Sequence, residues 1–178
     1  MIVSVRQGNI LELPADVLIT PANPWLTMST GINADIVGRC GMRIQEELNA
    51  YLEECGLKAV PGGTVVPTQA IGLPFKHLIH AVAVDAFEDS SSTMVARTLV
   101  SAFRLVEAFA VDSVSIPPLA TGYGPLTLKS FIQALGEALD ENSSFAERVF
   151  LVLEEQEEVA KAKSLLEEIE FRSTVDVR

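Results

Sequence analysis

Residues 113–139 read SVSIPPLATGYGPLTLKSFIQALGEAL. The first four, Ser113 to Ile116, predict a buried strand running into Pro117-Pro118. Leu128, Phe131, Ile132, Leu135 and Leu139 then recur at helical spacing, with the helix opening near Thr127. Between strand and helix lies Ala120-Thr121-Gly122-Tyr123-Gly124-Pro125. Two glycines in a strand-to-helix loop can turn successive backbone N–H groups into a nest for an anion. Strand, glycine loop and helix in that order make up the repeating unit of an α/β sheet, where ligands sit at the carboxyl ends of the strands.

The same alternation extends in both directions. Ile2-Val3-Ser4-Val5-Arg6 alternates like a half-exposed strand, and Asp16-Val17-Leu18-Ile19 is a short buried strand closed by Thr20-Pro21. Asn33 to Cys40 predicts a short helix opened by Asn33 and stopped by Gly41; Ile44, Leu48, Tyr51 and Leu52 mark a second, ended by Gly56. Thr64 to Thr68 and His77 to Val84 are two further strands. A long amphipathic helix carries Val95, Leu99, Phe103, Val106 and Phe109, with Ser92 or Thr93 as its cap. Arg148 to Leu153 is the last strand and Glu154 to Ile169 a charged last helix with a solvated face; Phe171 to Arg178 stays unassigned. This alternation predicts a three-layer α/β/α sandwich on a mixed, mostly parallel sheet of about six strands. The short connection after the first strand is where an antiparallel pairing is expected.

The chain has 178 residues, which favours a single domain over 1–178. Lys and Arg number 13 against 24 Asp and Glu, a net charge of −11. Such a chain is a poor binder of a nucleic-acid backbone, which needs cations to displace counterions. No apolar stretch is long enough to span a bilayer, and no signal peptide is read, so neither a membrane nor an export route is expected. Cys40 and Cys55 are read as reduced thiols. His77 and His80, three apart on one strand, point to opposite faces, and no metal or other cofactor is implied. Trp25 is read as a packing residue.

Three further loops are candidate ligand positions. They are Gly8-Asn9-Ile10 after the first strand, Thr20-Pro21-Ala22-Asn23-Pro24 after the second, and Ser29-Thr30-Gly31-Ile32-Asn33 at a helix start, where N–H groups and the helix dipole favour phosphate. Gly72-Leu73-Pro74 running into Leu78-Ile79-His80-Ala81, and Ile116-Pro117 with Ala120-Thr121-Gly122, complete the series. With these motifs in this order the chain resembles macro domains, the ADP-ribose-binding α/β module, over residues 1 to about 155.

The resemblance implies a site residue by residue. Asn9 stands where the family has an acidic residue accepting from the adenine amino group, with Ile10 beside it. Asn23, after Ala22, matches the Asn that contacts the distal ribose. Met28-Ser29-Thr30-Gly31, followed by Ile32, replaces the glycine-rich first diphosphate loop. Ala120, Thr121, Gly122, Tyr123 and Gly124 form the second, with Tyr123 as the aromatic packing on the distal ribose. Asn33 occupies the position of the Asp found in hydrolytic members; its amide cannot act as a general base. Asp35, two residues on, would face roughly 200° away on a helix. The readings left open are a binder of ADP-ribose, free or protein-linked; an enzyme acting on ADP-ribose derivatives, with Asn23 positioning ribose and water; and a fold that has lost its ligand and acts as an interaction protein. A cytoplasmic protein is expected.

Overall fold

The computed structural model describes the chain apart from Tyr123, Ser143 and residues 172–174. Its apolar runs become strands covered on both sides, as parallel sheets require. The described strands are β1 (Ile2–Gln7), β2 (Val17–Ala22), β3 (Val65–Gln69), β4 (His77–Val82), β5 (Ser113–Ile116), β6 (Arg148–Leu153) and β7 (Asp176–Val177), in one sheet ordered β3-β4-β2-β5-β6-β1-β7. The helices are α1 (Gly31–Cys40), α2 (Arg43–Glu54), α3 (Ser92–Phe109), α4 (Leu128–Glu141) and α5 (Gln156–Glu167).

Side-chain alternation along each strand divides the core in two. Val149 and Leu151 of β6 pack with Phe103, Phe131 and Leu166 under α3, α4 and α5. Phe150 and Val152 pack on the other face with Leu11, Ile36, Ile44 and Leu48. The result is the expected three-layer sandwich.

Several details differ from the sequence reading. The antiparallel pair is β3–β4 at one edge, whereas β1 runs parallel to both β6 and β7. The chain leaving β1 does not turn back beside it; it passes through a 3₁₀ turn at Ile10–Glu12 and reaches β2, three places away in the sheet. A seventh strand comes from the unassigned tail, where Asp176 and Val177 pair with Ile2 and Val3. β2 continues through Pro21 to Ala22; pairing with β5 ends at Leu18, so no neighbouring strand on that side misses the proline N–H. The cap of α3 is Ser91, whose hydroxyl accepts from the Met94 N–H at 3.1 Å. α1 opens at Gly31, not at Asn33.

At the amino end of the sheet Asp16 ties three strands together. It pairs with Lys76 at 2.7 Å and accepts from the Asp112 and Ser113 N–H groups and the Ser113 hydroxyl. Burial would raise its pKa, but the hydrogen bonds from Lys76, Ser113 and Asp112 outweigh it and hold the carboxyl at about 2. The opposite end of the sheet is left free for a ligand.

Candidate functional site

A cleft of about 690 Å³ opens over the carboxyl ends of β1, β6 and β5 and the start of α1. Its first wall follows β1. Gly8 has φ +142, a backbone region that a side chain would strain, and its N–H bonds to the Leu153 carbonyl at 2.9 Å. That turn presents Asn9, whose side-chain oxygen accepts from the Leu11 N–H at 2.9 Å and caps the 3₁₀ turn. Asn9 is exposed, and with its oxygen used in the cap the amide N–H₂ group lies on the side away from Leu11. Ile10, Val152 and Leu153 make this end apolar.

The middle of the cleft is built for an anion. Gly31 and Ile32 open α1, and the Thr30 side chain makes no capping hydrogen bond there, so the first-turn N–H groups keep their bonding capacity. Opposite them stand Thr121 and Gly122 of the loop after β5. That loop is tightly closed: Thr121 Oγ1 donates to the Pro118 carbonyl at 3.3 Å and the Leu126 N–H to the Ala120 carbonyl at 3.0 Å. Gly124 is required by close approach, since a Cβ there would lie 2.6 Å from the Ala120 carbonyl oxygen. Ala120 takes φ +58 to complete the turn.

Asn9, Ile10, Gly31, Ile32, Thr121 and Gly122 line one cleft. Ala22, Asn23, Thr30, Asn33, Ala120 and Gly124 are not among its lining residues. Tyr123 lies outside the described residues. The Asn23 amide is engaged in its own loop: Nδ2 donates to the Thr27 carbonyl at 3.1 Å and hydroxyl at 2.8 Å, and Oδ1 accepts from the Thr27 N–H at 3.2 Å. Trp25, expected to pack, is 44% exposed in the same loop.

Asn33 is buried and faces the sheet. Its Oδ1 accepts from the Thr20 hydroxyl at 2.9 Å, and its Nδ2 donates to the Pro21 carbonyl at 2.7 Å, binding α1 to β2. Asp35, on the opposite side of the helix, is the α1 carboxylate that lines the cleft. His80, in register with Thr20, bonds through Nε2 to the Thr68 hydroxyl at 2.9 Å; burial lowers its pKa to about 4, so it is neutral. His77 lies on the other face, stacked on Phe109.

Sequence reasoning missed the α5 side of the cleft. Glu154, Glu155, Glu158 and Lys161 reach it because β6, which feeds α5, lies beside β1. With Asp35 they give the lining four carboxylates against one ammonium. Only the strand order could reveal this, because these residues lie about 150 positions from Asn9 in the chain. Among the described residues no group of three or more His, Cys, Asp or Glu is placed to hold a metal, and no helix is long and apolar enough to cross a membrane.

Known proteins share this architecture. The chain is 32% identical over 125 residues to an uncharacterized protein of Sulfurisphaera tokodaii, covering 70% of this chain and 67% of that protein. It is 30% identical over 125 residues to the O-acetyl-ADP-ribose deacetylase of Escherichia coli, covering 68% of this chain and 70% of that protein. These matches span about two thirds of each relative's length. A macrodomain variant of Oceanobacillus iheyensis with ADPR superimposes with a TM-score of 0.76 at 22% identity, over 93% of this chain and 90% of that one, a likeness that speaks to the fold. Residues 19–135 match the model of the Macro domain, a stretch that begins within β2 and contains α1, β4, β5 and both anion-suited loops, and the chain belongs to that family.

Proposed function

We infer that this protein binds ADP-ribose or an ADP-ribose derivative in the cleft at the carboxyl ends of the strands. The observation that carries this reading is the convergence of the α1 N-terminus at Gly31 and the Thr121-Gly122 loop on one open cleft. Backbone N–H groups from both sides would hold the diphosphate without a side-chain cation. The apolar end with Asn9 and Ile10 suits a base, and the β2–α1 end, where Ile32 lines the cleft and Ala22, Asn23 and Thr30 lie just outside its lining, is assigned to the distal ribose on the family resemblance. Ala120 and Gly124 contribute by shaping the second loop, and the Tyr123 contact rests on the family resemblance. The printed names of the relatives agree, since one acts on O-acetyl-ADP-ribose and one was solved with ADPR.

Binding is favoured over turnover by the placement of Asn33, an amide bonded to β2 and absent from the cleft lining. A hydrolytic reading draws on Asp35, the carboxylate that α1 does present, with Asn23 positioning ribose and water. Residues 1–178 are read as one domain, its two ends joined where β7 pairs with β1. The acidic charge argues against a nucleic-acid partner, and the cytoplasmic reading rests on the family resemblance.

Calorimetric titration tests the proposal. ADP-ribose is expected to bind in the micromolar range, about −8 kcal/mol, and AMP far more weakly. No heat from ADP-ribose at millimolar concentration would overturn it.

A further inference from the structure

We propose that Gln45, a buried residue of α2 outside the cleft lining, is a positioning residue for ligand binding. Its side chain braces the loop of residues 23–30, and the brace fixes where α1 begins and where its first N–H groups meet the diphosphate. This rests on the ADP-ribose reading above. The loop joins Ala22 at the end of β2 to Gly31 at the start of α1 and is itself neither strand nor helix. Its buried backbone groups therefore need side-chain partners.

Gln45 supplies two of those partners with one amide. Oε1 accepts from the Met28 N–H at 2.8 Å, and Nε2 donates to the Leu26 carbonyl at 3.0 Å. Nε2 also donates to Asn49 Oδ1, one turn along α2, at 2.9 Å. With both donors and the oxygen in use the amide has one orientation, since a flip would set nitrogen against the Met28 N–H and oxygen against the Leu26 carbonyl. Leu26 and Met28 are buried, and Leu26 takes φ +54, a conformation that a branched side chain keeps only when its surroundings hold it.

The rest of the loop is closed on its first half. Asn23 holds Thr27, and the Val60 N–H donates to the Pro24 carbonyl at 2.8 Å. After Met28, Ser29 and Thr30 are exposed and the Thr30 side chain makes no capping bond. The α1 N-terminus is thus held at two points, by Asn33 to β2 and by Gln45 through Met28, three residues before Gly31. Without Gln45 the Leu26 carbonyl and the Met28 N–H are left buried and unpaired, and the strained backbone at Leu26 relaxes. Gly31 then loses its fixed place opposite Thr121 and Gly122. An anion site made of backbone N–H groups depends on being preformed, so the loss falls on affinity as well as on stability.

Gln45→Met keeps the length of the side chain and removes the amide. Val106→Ala, buried in the core on the other face of the sheet, lowers stability without touching the loop. Wild type and both variants are titrated calorimetrically with ADP-ribose well below their thermal transitions. Trp25, the only tryptophan, lies in the braced loop, and its quenching by acrylamide reports on the brace. Gln45→Met is expected to lose about tenfold in ADP-ribose affinity and to show stronger Trp25 quenching, while Val106→Ala matches wild type in both. If Gln45→Met does not fold, Gln45→Glu, which keeps the acceptor for Met28 but sets an oxygen against the Leu26 carbonyl, is expected to move both readings in the same direction. Wild-type affinity or wild-type quenching in the folded Gln45 variant, or an equal loss of affinity in Val106→Ala, would overturn the proposal and leave the cleft reading standing. No binding of ADP-ribose by the wild type would overturn the cleft reading, and this proposal with it.

Discussion

Replacing Asn33 by Asp restores the residue type that the family resemblance associates with hydrolysis, yet here it should cost stability and yield no turnover. Nδ2 of Asn33 donates to the Pro21 carbonyl at 2.7 Å while Oδ1 accepts from the Thr20 hydroxyl at 2.9 Å. A carboxylate keeps the second bond, but it sets an anionic oxygen against a carbonyl oxygen in place of the first. Losing the bond costs about 1 kcal/mol, and leaving the buried groups mismatched about 1–3 kcal/mol more, so about 2–4 kcal/mol is expected at pH 8. For a chain of this length that is a fall in Tm of roughly 5–15 °C. The introduced carboxyl has its folded pKa raised above its unfolded value of about 3.9, because burial and the Pro21 carbonyl favour the protonated form. Between those two values the folded state binds the extra proton, so the deficit of Asn33→Asp relative to wild type shrinks as pH falls. Urea unfolding from pH 8 to pH 5, with a parallel assay on O-acetyl-ADP-ribose, measures both effects. A variant as stable as wild type at pH 8, or one that gains hydrolysis, would refute the placement of this side chain.

Gly124→Ala puts a methyl group 2.6 Å from the Ala120 carbonyl oxygen, so the second loop must shift; ADP-ribose affinity should fall at least about tenfold, or 1.4 kcal/mol, with little change in the thermal transition, and an unchanged affinity would contradict the close approach. Because Asp35, Glu154, Glu155 and Glu158 outnumber Lys161 in the cleft, raising salt from about 20 to about 200 mM should screen repulsion and strengthen binding of the anionic ligand; Glu154→Gln with Glu155→Gln and Glu158→Gln should flatten that response. His80 is buried neutral with a folded pKa near 4, so the unfolded chain takes up its proton first and stability falls as pH drops from about 6.5 toward 4. His80→Gln should remove that component, seen as a smaller difference in urea midpoints between pH 7 and pH 5; Asp16, with its pKa at about 2, adds its own loss only below about pH 4.

The elements that could be read in advance are those whose residues answer to local forces. Val149 to Leu153 is apolar throughout because both faces of β6 are covered, and Gly8 announces a turn by its positive φ, Gly124 by the close approach of the Ala120 carbonyl. β7 was hidden, since two residues pairing with Ile2 and Val3 leave no pattern. Asn33 looked like a helix cap, but its amide serves a tertiary bond to β2, and its burial turns Asp35 outward to the cleft. The separation of these two side chains on the helix follows from helical geometry alone; which of them faces the ligand depends on where β2 lies. Glu158 and Lys161 enter the site only through the neighbouring placement of β6 and β1, a fact of topology that no local motif carries.

Amide chemical-shift mapping during an ADP-ribose titration tests the central claim most directly. The account requires saturable shifts at Gly8, Ile10, Gly31, Thr121 and Gly122, with none along the α3–α4 groove at Arg97, Arg104 and Glu137. No shifts at millimolar ligand, or shifts confined to that groove, would contradict it.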